Sequence, residues 1–169
     1  MFQSLLAVVL AAAVTVAEGG VVFQPALSPD GKQVAYAADE SGVVSIYVAP
    51  SDASGPRVKI GTIGTGARAH RLAAHTLQHA PWSPDGKSIL YLAPSADSKS
   101  EGLFLASVEE AGKVRPIGPQ KGLIETAAFT PKGEVAYTHR EGRDARDLFV
   151  YTTSVAGENA QPAQVGKMG

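Results

Sequence analysis

Apolar positions along this chain fall into short runs separated by turn-forming polar residues, and the runs recur in one order three times. The first set reads PALSPDGKQVAYAA from Pro25, SIYVAP from Ser45 and RVKIG from Arg57. The second reads APWSPDGKSILYLA from Ala80, GLFLAS from Gly102 and VRPIG from Val114. The third reads AAFTPKGEVAYT from Ala127, DLFVYT from Asp147 and PAQVG from Pro162. Ser28 to Tyr36 and Ser83 to Tyr91 are eight residues each, and Thr130 to Tyr137 is seven. The next aromatic landmark follows after 11, 13 and 12 residues, at Tyr47, Phe104 and Phe149. Self-similarity at about 50 residues is the mark of a repeat architecture.

Each set predicts four short strands, a to d. Strand a ends at Leu27, Trp82 or Phe129. Ser-Pro-Asp-Gly then makes a tight turn, with Pro fixing φ at the first corner and Gly accepting positive φ at the exit. Strand b is VAY, ILY or VAY, and strand c is rich in β-branched and aromatic residues. Strand d closes at Gly61, Gly118 or Gly166. Four strands per repeat of this length fit a β-propeller blade. The expected blades cover about residues 21–61, 78–118 and 124–166.

These residues resemble the TolB-type, WD-like propeller repeat, most closely at Leu27 to Tyr36 and Trp82 to Tyr91. The third copy departs, with Lys132 in place of Asp and one residue fewer before Val135. The resemblance implies an all-β propeller. It also favours a six-bladed ring, of which three blades are half: either the chain is a fragment of a longer propeller, or self-association of two copies would complete the ring. It leaves three roles open. One is a periplasmic scaffold binding a protein or cell-envelope partner. The others are the propeller portion of a prolyl-oligopeptidase-like hydrolase, or a polysaccharide lyase.

Composition narrows the classes. Hydrophobic residues at 44% exclude wholesale disorder, and a net charge of −1 excludes a strongly basic nucleic-acid binder. The absence of cysteine excludes disulfides, thiolate zinc sites and a Cys nucleophile. Residues 1–17 carry no charged side chain, and Leu5 to Ala17 is apolar except for Thr15. A membrane span needs about 20 apolar residues, so this stretch fits the core of a signal peptide cleaved after Ala13 or Ala17. Export to the periplasm or exterior is the expectation; a buried first helix or strand is the alternative.

Catalytic motifs are missing: there is no Gly-x-Ser-x-Gly, no His-Glu-x-x-His and no Walker A loop. Residues 62–77 form an insertion between the first two blades. Gly64, Gly66 and Ala69 there resemble a dinucleotide-binding fingerprint, with ARAHRLAAHTLQHA as a candidate helix. The acidic residue expected about 20 positions on is absent, which leaves a nucleotide-binding oxidoreductase as a remote alternative. The insertion region also holds His70, His75 and His79, whose spacing suits no tight metal site. No catalytic, cofactor or metal residue is expected. In a four-stranded blade the b–c loops and d-to-a connections share one rim. That rim is expected to carry partner contacts through Arg68, His70, Arg71, His75 and His79, with Arg140, Arg143 and Arg146 from the third blade.

Overall fold

The structure, a computed structural model, describes residues 21–95, 100–142, 145–155 and 162–168. The apolar leader, Arg143 and Asp144 lie outside the described residues. Blade one is the antiparallel sheet β1 (Val21–Leu27), β2 (Gln33–Glu40), β3 (Val43–Pro50) and β4 (Val58–Thr65), hydrogen-bonded in that order. Helix α1 (Gly66–Thr76) follows. Blade two comprises β5 (Ser88–Pro94), β6 (Glu101–Ser107) and β7 (Val114–Ile117). Blade three comprises β8 (Leu123–Phe129), β9 (Val135–Arg140), β10 (Leu148–Thr153) and β11 (Ala163–Met168).

Ser28 and Asp30 show why the turns form. Ser28 Oγ donates to Asp30 Oδ1 at 2.7 Å and accepts the Gln33 N–H at 2.9 Å. Asp30 also accepts the Lys32 N–H, and Gly31 takes a φ of 71°. Blade two repeats the arrangement with Ser83, Asp85, Lys87 and Gly86. These hydrogen bonds, the serine hydroxyl's first, hold both aspartates below the usual carboxylate range. In blade three Thr130 keeps the backbone bond to Glu134 N–H, and Lys132 supplies no carboxylate.

The sheet registers stack one aromatic pair per blade: Tyr36 on Tyr47, Tyr91 on Phe104 and Tyr137 on Tyr151, with ring centroids 5.8, 5.7 and 5.5 Å apart. The third partner is Tyr151, two residues beyond the landmark Phe149, because β9 pairs Tyr137 with Tyr151. The second and third pairs face the preceding blade, and the first forms a small buried cluster with Val34, Ala38 and Ala49. Tyr91 meets Gly61 of β4, and Tyr137 meets Gly118 just after β7. One apolar core runs through all three blades, from Ala35, Ile46 and Ile60 through Trp82, Ile89 and Leu103 to Phe129 and Tyr137.

Two boundaries differ from the sequence reading. β4 does not stop at Gly61; it continues to Thr65, with Ile63 buried. The inner strand of blade two is reduced to an isolated bridge between Trp82 and Ile89. Ala80 at a φ of 36° and Pro81, which lacks an N–H, limit pairing there.

Candidate functional site

Helix α1 builds one wall of the site. Ala69, Leu72, Ala73 and Thr76 on its inner face are buried, and Leu77 at its C-terminal end is buried too. Thr76 Oγ1 accepts the Leu92 N–H at 2.6 Å, fixing the helix to β5. The polar face then splits between two blades. His70 Nε2 lies 2.5 Å from Asp39 Oδ2 at the end of β2 and its ring packs on Phe23. Arg68 donates to the Ser100 carbonyl. Arg71 donates to Glu101 Oε1 at 3.1 Å.

Between α1, blade two and blade three lies a cavity of about 420 Å3. Leu72, Leu92, Leu123 and Ile124 give it an apolar lining. Arg71, His75 and Glu101 stand on one side, and Arg140 with Glu125 on the other. Arg140 and Glu125 are ion-paired across β8 and β9. His75 Nδ1 lies 3.2 Å from Gln78 Nε2. Glu101 is buried, so the Arg71 guanidinium offsets a carboxylate that would be costly alone. The two arginines and two glutamates balance in charge, and His75 adds an imidazole beside them.

The structure thus brings Arg71, His75 and Arg140 to one cavity. Arg68 and His70 instead hold α1 to its neighbours. His79 is exposed and lines a separate groove of about 330 Å3 with Thr126, Ala128, Ala136, Thr138 and Val150. Arg146 is exposed outside both, and Arg143 lies outside the described residues. Glu101 and Glu125 were not singled out from the sequence. Only the tertiary structure reveals them: helix α1 brings Arg71 to Glu101, 30 residues on, and the β8–β9 pairing brings Glu125 to Arg140, 15 residues on. Among the described residues no group of His, Cys, Asp or Glu is arranged to hold a metal ion. Gly64 and Gly66 do precede a helix, but the sheets around them are antiparallel, unlike a dinucleotide-binding fold.

No protein-family model matches the chain, and no curated protein matches it. Solved structures do. The β-propeller domain of the Trilobed protease from Pyrococcus furiosus overlays with a TM-score of 0.60 at 15% identity, covering 89% of this chain and 45% of that one. The AtxE2 isopeptidase gives a TM-score of 0.58 at 14% identity, over 82% of this chain and 28% of that one. TolB from Acinetobacter baumannii is also matched, at 17% identity over 86% of this chain and 44% of that one. Its TM-score is 0.33. The chain therefore has the β-propeller fold, with an open ring, and spans less than half the length of these neighbours.

Proposed function

We propose that this chain is a non-enzymatic, TolB-like propeller scaffold, exported from the cytoplasm, that binds a protein or cell-envelope partner through the rim carrying α1. The observation that carries the reading is the convergence of Arg71 and His75 from the insertion with Arg140 from blade three around an apolar floor. Pockets with an apolar lining and a few convergent polar groups are the usual form of a binding site. Residues on loops held by a rigid sheet are well placed to recognise a partner. An extended peptide fits the chemistry: an apolar side chain reaches Leu72, Leu92 and Ile124, while its polar groups exchange with the Arg–Glu pairs. Among the described residues no helix is long and apolar enough to cross a membrane.

The test is capture of partners from an envelope extract by immobilised protein. His75→Ala with Arg140→Ala is expected to reduce capture about tenfold or more while the thermal melt is unchanged. Asp85→Ala, on the opposite rim, is expected to leave capture intact. The reverse pattern would move the site to the Pro-Gly turns.

A second reading, the propeller portion of a larger hydrolase, draws on the likeness to the protease and isopeptidase structures. That likeness supports the fold alone, and the chain holds no serine elbow. A longer product of the same gene that carries this chain together with a serine-inhibitor-sensitive peptidase activity would favour this reading.

A further inference from the structure

We propose that two copies of this chain close a single ring, with blade three of each seated on blade one of the other around a two-fold axis along the channel. The argument is independent of the rim site. The chain contains the required interface twice, between blades one and two and between blades two and three. In both, an apolar residue of the outer strand is covered by the next blade: Ile60 is 1% exposed and Ile117 is 5% exposed. Their counterpart in blade three is Val165, set in the same bulge of the ladder as Ile60, and it is 61% exposed. On the other side of each interface an inner-strand residue packs on the preceding blade: Trp82 is 5% exposed and Phe129 is 8% exposed. Their counterpart in blade one is Leu27, at 63%.

The two uncovered ends are the two halves of the same contact. Trp82 Nε1 donates to the Ala26 carbonyl across the first interface at 2.9 Å. The position matching Ala26 in blade three is Ala128, and Ala128 lines the open groove with Ala136 and Val150. Leu27 of a second copy, placed as Trp82 is, lands in that groove. The glycines agree. Gly61 and Gly118 each receive a tyrosine from the next blade, whereas Gly166 has only Val150 of its own blade beside it. A second copy covers both exposed faces, and its contacts are closed rather than open-ended.

Sedimentation equilibrium of the purified full chain tests the proposal, with a mass twice 17.4 kDa expected. Leu27→Lys and Val165→Glu both alter exposed positions, so each variant is expected to keep its fold. Each alone carries a damaged contact in both interfaces and is expected to be monomeric. Mixed in equal amounts, they form a pair in which one interface is wholly native, so dimers are expected to return. A monomeric wild type, a ladder of larger masses, a dimer indifferent to both substitutions, or a mixture that stays monomeric would each overturn the proposal.

Discussion

Tyr91 of blade two presses its ring against Gly61 of blade one, so closely that a Cβ on Gly61 would stand 2.9 Å from Tyr91 Oη and 3.0 Å from its Cζ. The glycine serves space here, not backbone freedom. Tyr137 repeats the contact at Gly118, where the distances are 3.0 and 3.1 Å. Blade spacing is thus set by the hydroxyl end of a tyrosine pressed against a glycine of the blade before it.

Gly61→Ala is therefore expected to destabilise the fold by about 1–3 kcal/mol, the usual cost of overpacking a tight core. Urea denaturation measures it. Combining Gly61→Ala with Tyr91→Ala should cost less than the sum of the two single changes, because the clash disappears with the ring. Strict additivity would show that the contact does not set the blade spacing.

The hydroxyls of these two tyrosines differ. Tyr91 Oη accepts the Thr62 N–H, while Tyr137 Oη is buried with no hydrogen-bond partner. Tyr91→Phe is expected to cost about 0.5–1.5 kcal/mol, the net worth of a hydrogen bond. Tyr137→Phe removes an unsatisfied group and is expected to be neutral or stabilising. Equal losses in the two variants would contradict this.

Alkaline pH should loosen the blades. Burial, first among the causes, pushes Tyr47, Tyr91 and Tyr137 up to about 12. In the unfolded chain tyrosine titrates near pH 10. Between these values the unfolded state has lost its phenolic protons and the folded state retains them, so stability falls as pH rises. Urea midpoints should be level below about pH 10 and decline toward about 12. Phenolate absorbance should rise together with unfolding; a midpoint unchanged to pH 12 would contradict the assignment.

Thr76 tests the anchoring of α1. Thr76→Val keeps the shape and removes the acceptor for the buried Leu92 N–H. The expected cost is about 1–3 kcal/mol, the penalty for an unsatisfied buried donor. Amide exchange should quicken along residues 66–76. Unaltered exchange there would mean that apolar packing alone seats the helix.

Much of this was legible in the sequence, for reasons that particular residues show. Ser28-Pro-Asp-Gly and Ser83-Pro-Asp-Gly announce their turns because the hydrogen bonds that close them are local. The aromatic in each middle strand announces the blade face, although in blade three alternation places Tyr151, two residues beyond Phe149, across from Tyr137. The end of β4 was hidden because Gly61 looks like a terminator, yet here it accommodates Tyr91. The partners of the rim were hidden for another reason. Asp39 for His70 and Glu101 for Arg71 are about 30 residues away and are brought close only where helix α1 packs on blades one and two. A sequence pattern carries spacing within a blade, and these contacts arise between the inserted helix and the blades beside it.

The most direct test of the rim assignment is site-specific photo-crosslinking in the intact chain, with the probe replacing His75 in the cavity or, separately, Asp85 on the opposite rim. The expected outcome is a discrete adduct of one partner from position 75, lost when Arg140→Ala is added, and no adduct of that partner from position 85. An adduct from position 85 with none from position 75 would contradict the assignment of the working surface to the helix-bearing rim.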